Sequence, residues 1–316
     1  MPIQIPMPLI VVIFVVVALA VARAMTGAAA QTQAYFAFQR SWHAFWPFHH
    51  GRGLPRVIRA LLKRFVPVWT EVEPQVRMLL DSNDLISRVI LETGVWDDAS
   101  WLAIRQHLVG GATFVDVGAH EGYCSLKAAR VVGPSGRVIA IEPNPEMVRT
   151  LRANIGASGA TVITVEPVAC SDSETTLDLF VAAHSNTGSS SLSKTNASLG
   201  GSVSTAYHVP ARPLDAIIRE AGVSRVDLIK IDVEGAEFSV LKGAQEALAL
   251  YHPVLLVELD DQLLNSMETT SAAIIAFLRS CGYALRGSYD QANFEFYPEA
   301  AKAKSASSVV ICRTRE

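Results

Sequence analysis

The feature that most constrains the fold is a regular alternation of short apolar runs with helical patterns, which begins near residue 99. The runs are short and end in polar residues or glycine, as buried strands of a parallel sheet do. Strands alternating with helices predict an α/β domain with a doubly wound, mostly parallel sheet. Ligands bind such sheets at the carboxyl ends of the strands, so polar residues at those ends are the candidate site.

The predicted sheet has seven strands, and its regular order is interrupted once. The strands are expected at 113–117, 137–141, 161–165, 226–231, 254–258, 283–289 and 308–312. The interruption covers residues 170–212, where further strands at 176–181 and 203–209 flank a Ser-, Asn- and Gly-rich stretch from His184 to Ser204. That stretch is either a disordered surface loop or a mobile flap over the site, and its composition favours the loop.

The N-terminal segment has the composition of a membrane anchor. Residues 3–22 carry no charged side chain, and a helix of that length spans about 30 Å, the thickness of the hydrocarbon core of a bilayer. A cleaved signal peptide is the alternative, because the strictly apolar part, 9–22, is shorter. Positive charge follows the apolar run, which favours a retained single-pass membrane anchor with the following domain on the cytoplasmic side.

The chain divides into three predicted parts: a membrane anchor at 1–23, a basic juxtamembrane linker with an amphipathic helix at 24–70 and an α/β domain at 71–316, with its core at about 99–316. No Asp or Glu precedes Glu71, although the whole chain has a net charge of −3. Residues 54–66 predict a basic amphipathic helix, which suits an anionic membrane surface, with ordinary packing on the domain as the alternative. The acidic body disfavours nucleic acid as a partner.

The first strand runs into a glycine-containing turn, Asp-Val-Gly-Ala-His-Glu-Gly-Tyr, at 116–123. Two glycines at this point remove side chains that a nucleotide-like ligand would meet. The spacing Gly-x-x-x-Gly differs from that of a dinucleotide cradle, and an acid at the strand end would repel a pyrophosphate but attract the cationic S-adenosylmethionine (SAM). NAD is therefore disfavoured. The candidate cofactor-binding residues of this turn are Asp116, Gly118, Ala119, His120, Gly122 and Tyr123.

Two further segments complete the predicted adenosine site. Glu142 ends the second strand and is followed by Pro143 and Asn144; an acid at this strand tip accepts hydrogen bonds from the two ribose hydroxyls. Ser171 and Asp172 follow the third strand, where an acid can reach the adenine amino group, although a turn capped by Asp is the alternative. Together these segments predict an adenosine-containing ligand.

The densest polar cluster lies at 228–237, on and after the fourth strand. Lys230 and Asp232 alternate with apolar residues, so they share one side of the strand and are expected to neutralise each other. Glu234 and Glu237 lie at the start of a helix, where negative charge is favourable, and capping is the alternative role for both. Asp232 is the first candidate for the catalytic base, followed by Glu234 and Glu237.

Within the same cluster, Lys230 is expected to balance the charge or to hold the acceptor oxygen. Glu258 ends the next strand and points to the same edge, so several carboxylates converge there. Such a group could bind a divalent ion, but no histidine has a suitable spacing, and no metal ligand is predicted.

These motifs resemble those of the FkbM-type SAM-dependent methyltransferases over roughly residues 78–313. The resemblance rests on the segments at 115–123, 141–145, 169–172, 188–192 and 229–237, of which Ile-Lys-Ile-Asp-Val-Glu-Gly-Ala-Glu at 229–237 is the most specific. It implies a class I methyltransferase fold with Asp116, Gly118, Glu142 and Asp172 around SAM. It also implies methyl transfer to a hydroxyl, often on a sugar. His120 and Glu121 depart from the family, which usually has a small or amide residue there.

The sequence thus predicts a membrane-anchored SAM-dependent methyltransferase that O-methylates a hydroxyl of a glycan, a glycolipid or a similar acceptor. One alternative is a non-catalytic, membrane-bound SAM- or nucleotide-binding module, against which the many strand-end acids at 230–237 argue. The other alternative is a methyltransferase that acts on RNA or protein.

Overall fold

A seven-stranded sheet forms the centre of the fold in a computed structural model that describes residues 67–182, 186–288 and 292–299. The strands are β1 (Val68–Glu73), β2 (Val76–Leu80), β3 (Thr113–Val117), β4 (Arg137–Ile141), β5 (Ile163–Glu166), β6 (Ala169–Cys170), β7 (Thr175–Ala182), β8 (Val203–Arg212), β9 (Leu228–Ile231), β10 (Val254–Glu258), β11 (Tyr283–Ser288) and β12 (Asn293–Pro298). The helices are α1 (Leu85–Thr93), α2 (Asp98–His107), α3 (Tyr123–Val132), α4 (Pro145–Ser158), α5 (Lys194–Leu199), α6 (Leu214–Glu220), α7 (Glu237–Lys242), α8 (Gln245–Tyr251), α9 (Asp261–Asn265) and α10 (Ser271–Ser280).

The central sheet has the strand order β11-β12-β10-β9-β3-β4-β5. Neighbouring strands from β10 to β5 are parallel, and β12 is antiparallel to both β10 and β11. The order reverses at β3, because the chain continues to β4 on one side and returns later to β9 on the other. The predicted class I, doubly wound and mostly parallel sheet is therefore confirmed, and the reversal marks the place where such sheets bind ligands.

Both faces of the sheet are covered, which is why its strands are almost wholly apolar. Val115 and Val117 belong to a buried cluster with residues of α6, α8 and α10, whereas Phe114 belongs to a second cluster with residues of α1 to α4. Asp116 and Lys230 interrupt this pattern on the face of Phe114, and they are direct neighbours in the register of β3 and β9. Two buried polar side chains therefore meet near the carboxyl ends of the two central strands.

The core begins earlier in the chain than residue 99, the predicted start. Val76, Met78 and Leu80 of β2 are fully buried and join the cluster that contains Phe114. Alternate residues of this short strand face the core, but five residues are too few to give a clear periodic pattern, so the sequence did not reveal it.

The Ser-, Asn- and Gly-rich stretch is ordered over its described part, so the favoured loop prediction is wrong there. A 3-10 helix at Thr187–Ser189 and helix α5 follow one another, and Phe180 forms a β-bridge with Ser191. Asn196 is almost fully buried and donates to the carbonyls of Glu234 and Leu263. The segment 186–196, called the strap below, packs beside a small sheet of the order β6-β8-β7.

A strand that the sequence did not predict, β12, pairs with the predicted β11. Phe296 of β12 is buried, whereas the predicted strand at 308–312 lies outside the described residues. The predicted anchor at 1–23 and the basic helix at 54–66 also lie outside them. Among the residues that the structure does describe, no helix is long and apolar enough to cross a bilayer.

Candidate active site

A cavity of about 330 Å³ lies at the carboxyl ends of β3, β4, β9 and β10. Most of the predicted site residues line it, namely Asp116, Gly118, Ala119, His120, Tyr123, Glu142, Pro143, Asn144, Lys230, Asp232 and Glu234. The predicted Gly122, Ser171, Asp172 and Glu237 do not. The strap contributes Thr187 and Ser191 among others, so one wall comes from a segment outside the central sheet.

The charged centre of the cavity is Lys230, which lies between two aspartates. Its Nζ is 2.9 Å from Oδ2 of Asp232 and 3.8 Å from Oδ1 of Asp116. Burial opposes the charge on the ammonium, but Asp232 and Asp116 raise the pKa of Lys230. Burial likewise opposes ionisation of Asp232, yet Lys230 holds its pKa below the ordinary value. The predicted pairing of Lys230 with Asp232 is thus present.

Asp116 is buried, and only one of its two carboxylate oxygens accepts a hydrogen bond from the described residues. Its Oδ2 accepts a hydrogen bond of 2.6 Å from the hydroxyl of Ser125, whereas its Oδ1 accepts none within the described part of the chain. Burial raises the pKa of this carboxyl, and Lys230 opposes the effect. A cationic group in the cavity would supply the missing partner, because buried acceptors are almost always hydrogen-bonded or paired.

Glu142 lies at the tip of β4, as predicted for a ribose-binding acid. Its two oxygens accept hydrogen bonds of 2.8 Å from the backbone N–H groups of His120 and Asn144, which fix the carboxylate beside the first turn. Burial raises the pKa of Glu142 to about 7. Each carboxylate oxygen keeps a second lone pair for a ligand hydroxyl.

A group of three carboxylates forms the opposite wall. Oxygen atoms of Asp232, Glu234 and Glu258 lie within 4.8 Å of one another. The negative charge of Asp232, together with burial, raises the pKa of Glu258 to about 10, and burial together with Asp232 raises that of Glu234 to about 8. Both glutamates are therefore mostly protonated at pH 7. The spacing would suit a divalent ion, but Lys230 already neutralises the one ionised member.

The comparisons with known proteins agree with this geometry. The Methyltransferase FkbM domain matches residues 116–285, which is more than half of the chain. The chain belongs to the FkbM methyltransferase family. The predicted resemblance, the methyltransferase class and SAM as the methyl donor are thereby confirmed at the level of the family.

Two curated relatives of this FkbM chain match over about half of its length. The hexuronic acid methyltransferase AglP of Haloferax volcanii is 29% identical over 178 residues, or 55% of this chain and 61% of that protein. The AMB antimetabolite synthetase AmbE of Pseudomonas aeruginosa is 28% identical over 202 residues, or 54% of this chain and 9% of that protein. The chain therefore spans less than two thirds of the length of either relative.

Solved structures of methyltransferases are similar to this chain at low sequence identity. The FkbM methyltransferase of Methylobacillus flagellatus KT has a TM-score of 0.41 and 18% identity, and the match covers 76% of this chain and 59% of that one. A SAM-dependent O-methyltransferase of Thermotoga maritima has a TM-score of 0.40 and 14% identity, with 82% and 83% covered.

The cavity of this FkbM chain fits the parts of SAM. Oδ1 of Asp116, which accepts no hydrogen bond from the described residues, suits the ammonium group, and Glu142 suits the ribose hydroxyls. The side-chain amide nitrogen of Asn144 is buried and donates no hydrogen bond to any described residue, so a donor is present at the adenosine end. Met147 and Val168 add apolar surface for an adenine ring.

The packing of the protein itself requires the two glycines of the first turn, and their predicted role as room for a ligand stays a prediction. A Cβ at Gly118 would lie 1.8 Å from the carbonyl oxygen of Asp232, and one at Gly122 would lie 2.4 Å from Cδ1 of Leu151. Both residues have positive φ values, 83° and 93°, that favour glycine. Close packing of backbone and side chains, and not the cofactor alone, therefore requires the glycines.

Ser171 and Asp172 are not among the residues that line the cavity, although Ala169 and Cys170 just before them are, so their contact with adenine stays a prediction. Asp172 is exposed and accepts a 2.7 Å hydrogen bond from Nζ of Lys242, which lowers the pKa of its carboxyl. Ser171 is buried against Gly243, whose hypothetical Cβ would lie 2.1 Å from the Ser171 carbonyl oxygen. Both residues join the end of β6 to the end of α7.

Glu237 does not line the cavity, and its side chain binds the backbone of the turn before α7; its predicted catalytic role stays a prediction. Its Oε1 accepts hydrogen bonds of 3.1 Å from the N–H groups of Val233 and Gly235. Burial raises the pKa of Glu237 to about 7. The side chain thus closes the turn that carries Glu234, whose φ of 55° is unusual for a residue other than glycine.

A chain of hydrogen bonds from Asp84 to His120 is the part of the site that sequence reasoning missed. Oδ1 of Asp84 accepts from both the N–H (2.9 Å) and the hydroxyl (2.6 Å) of Thr187. Oγ1 of Thr187 lies 2.9 Å from Nε2 of His120, which lines the cavity. Asp84 and Thr187 are 103 residues apart, and the only sequence signal was the departure of His120 from the family pattern.

Proposed function

We propose that this FkbM chain transfers the methyl group of SAM to a hydroxyl of a saccharide-type acceptor. The observation that carries the proposal is the arrangement of Asp116, Lys230 and Asp232 at the ends of the two central strands, opposite Glu142. It offers negative side chains to a sulfonium and an ammonium, and a buried acid to a ribose. Pyrophosphate would be repelled by the same groups.

The protein residues have mainly to bind, orient and exclude water, because SAM when bound supplies a methyl group that is already activated. Holding the acceptor oxygen about 3 Å from the methyl carbon in line with the bond to sulfur is a large part of catalysis. The strap is suited to excluding water, since Ser191 donates to the carbonyl of Glu234 (2.7 Å) and thus joins the strap to the carboxylate wall.

The class of acceptor is inferred from the carboxyl groups of Glu234 and Glu258 in the cavity and from one relative. Glu234 and Glu258 are mostly protonated at neutral pH, so they can donate hydrogen bonds to the hydroxyls of a sugar as well as accept them. The name of the hexuronic acid methyltransferase AglP is in keeping with such an acceptor. A glycan, a glycolipid or a similar hydroxyl-bearing molecule is the proposed substrate.

The test is incubation of the purified full chain with methyl-labelled SAM and extracts of its native membranes, followed by identification of the labelled species. Label in a saccharide, stable to mild base as expected for an ether, supports the proposal. Label in RNA or protein would change the substrate class. SAM binding by calorimetry without any labelled product would favour the non-catalytic module. No heat with SAM but saturation by a dinucleotide would refute the cofactor assignment.

The membrane location is a separate proposal that rests on the uncharged residues 3–22 and on the basic residues after them. Its test is fractionation of cells that express the full chain or a chain lacking residues 1–23. We expect the full chain in the membrane fraction after a carbonate wash and the shortened chain in the supernatant. Both chains in the supernatant would end this proposal and leave the enzymatic one untouched.

A further inference from the structure

We propose that His120 accepts the proton of the acceptor hydroxyl through its Nδ1, and that Thr187 and Asp84 hold the imidazole in the tautomer that leaves this nitrogen free. The inference rests on the proposed methyl transfer and assigns its proton acceptor. It departs from the sequence-based expectation of an Asp or Glu base. It also gives a role to a residue that differs from the family pattern.

The tautomer of His120 follows from which atom carries the hydrogen in each of the two contacts that join Asp84, Thr187 and His120. An ionised Asp84 only accepts, so the single hydroxyl hydrogen of Thr187 is used in the 2.6 Å bond to Asp84. The 2.9 Å contact between Thr187 and His120 then requires that Nε2 of His120 carries a hydrogen and donates it. In a neutral imidazole Nδ1 consequently has the lone pair.

Nδ1 is available to a substrate. It makes no hydrogen bond within the described part of the chain, and it is not among the buried polar atoms that lack a partner. His120 is half-buried and lines the cavity, and its φ of 51° projects it from the first turn, where Glu142 holds its N–H. The backbone and one ring nitrogen are therefore held by hydrogen bonds, while the other nitrogen has no hydrogen-bond partner among the described residues and belongs to a side chain that lines the cavity.

Burial favours the neutral form of the His120 ring, and the charged groups around it have opposing effects. The groups that face it are Asp84 before α1, Glu142 after β4, and Lys230 and Asp232 at the end of β9. Burial lowers the pKa of His120; Asp84 and Asp232 oppose the effect, and Lys230 adds to it. By contrast Lys230 keeps Asp232 a weak base, and Glu234 with a pKa of about 8 is mostly protonated.

The step balances without a further reactant. The acceptor oxygen forms a bond to the methyl carbon, the carbon–sulfur bond breaks, and its electron pair stays on sulfur, which becomes neutral. The hydroxyl proton passes to Nδ1, and the positive charge of the sulfonium is thereby replaced by that of an imidazolium. Asp84, through Thr187, stabilises that imidazolium, and the proton leaves to solvent after product release.

The test compares His120→Asn, Thr187→Val and Thr187→Ser with the unchanged protein at saturating SAM. General-base catalysis contributes roughly 10²–10⁴-fold, so we expect kcat of H120N to fall about 100-fold or more, with the Kd for SAM changed less than about threefold. T187V should lower kcat about tenfold, and T187S, which restores the hydroxyl, should recover it. If Thr187 had a merely structural role, T187V and T187S would show the same pH profile of kcat.

The pH dependence of kcat separates the possible bases. With His120 as base, kcat of the unchanged protein is constant through neutral pH and falls on the acid side, below the ordinary histidine value of about 6.5. T187V moves this acid limb to lower pH, because the imidazolium loses its link to Asp84. A kcat that instead rises through pH 8 would assign the proton to Glu234 and overturn the proposal.

Two results keep this inference distinct from the proposed function. If the unchanged protein neither binds SAM nor methylates any acceptor, the proposed function fails. If it methylates normally but H120N keeps its kcat and acid limb, only the assignment of His120 fails. Loss of SAM affinity in H120N with an unchanged kcat would likewise overturn the assignment, since it would make His120 a cofactor ligand.

Discussion

Lys230 and Asp116 are direct neighbours across β3 and β9, and the Lys230 ammonium lies 3.8 Å from a buried oxygen of Asp116. Removing the Lys230 ammonium leaves the carboxylates of Asp116 and Asp232 without their cationic partner. Breaking a buried ion pair in this way lowers the free energy of unfolding by about 3–5 kcal/mol. We expect Lys230→Met to lower the free energy of unfolding in urea by this amount. Lys242→Met, which removes the surface partner of Asp172, is the control and should cost less than about 1 kcal/mol. Equal effects would show that Lys230 is not a buried partner.

A methyl group at Gly118 cannot be accommodated without moving Asp232. The hypothetical Cβ lies 1.8 Å from the Asp232 carbonyl oxygen, and positive φ adds strain, so Gly118→Ala should cost about 3 kcal/mol or more. Gly94→Ala is the matched control, because Gly94 also has positive φ (87°) but nothing within 4 Å of its Cβ position. We expect about 1–2 kcal/mol there. If thermal unfolding showed a similar loss of stability for the two variants, the positive φ alone would explain the cost.

Binding of SAM should become tighter as the pH rises through about 7, where Glu142 ionises. Burial has raised its pKa, so below that value the carboxyl is neutral and a poorer acceptor for the ribose hydroxyls. Calorimetry between pH 6 and 8 should show a roughly tenfold fall in Kd, with proton release in buffers of different ionisation enthalpy. Glu142→Gln should bind weakly at every pH. A pH-dependent Kd in this variant would assign the proton to another group.

The same raised pKa has a consequence for stability. A carboxyl whose pKa is higher in the folded than in the unfolded protein stabilises the fold below its unfolded pKa, and this contribution is lost as the pH rises through the folded value. For Glu142 that window runs from about 4.5 to about 7. Without SAM, the unchanged protein should therefore lose more stability than Glu142→Gln between pH 5 and 8, as measured by urea unfolding.

Substitutions of Glu237 distinguish a catalytic from a structural glutamate. Glu237→Gln keeps an oxygen for the N–H groups of Val233 and Gly235, so activity should stay within about threefold. Glu237→Ala leaves both N–H groups without this acceptor, at a cost of about 1–3 kcal/mol for each that stays buried. Assays at saturating SAM, combined with unfolding curves, provide the check. A hundredfold loss in the Gln variant would support the predicted catalytic role.

Removal of divalent ions should leave methyl transfer unchanged. Lys230 pairs with Asp232, and the raised pKa values of Glu234 and Glu258 leave the group with little net negative charge at pH 7. Activity measured after treatment with a chelator, with and without added Mg²⁺, tests this. Restoration of a lost activity by Mg²⁺ would establish a metal site at Asp232, Glu234 and Glu258.

The sequence by itself determined the parallel part of the central sheet and the places where its polar residues emerge. A buried strand requires apolar residues at successive positions, so the exceptions Asp116, Glu142 and Lys230 could be assigned to strand ends. The pairing of Lys230 with Asp232 was also predictable, because residues two apart share one side of a strand and buried charges need partners. These inferences need only local periodicity and the cost of burying charge.

The tertiary structure decided which of the chosen residues face the cavity and what holds them there. Glu237 accepts a hydrogen bond from the backbone N–H of Gly235. Asp172 pairs with Lys242, and Gly118 leaves room for the carbonyl of Asp232. The hydrogen bonds from Asp84 through Thr187 to His120 join three distant segments. No local pattern specifies such contacts, because they depend on how the strap packs against the sheet, and packing is set by the whole chain at once.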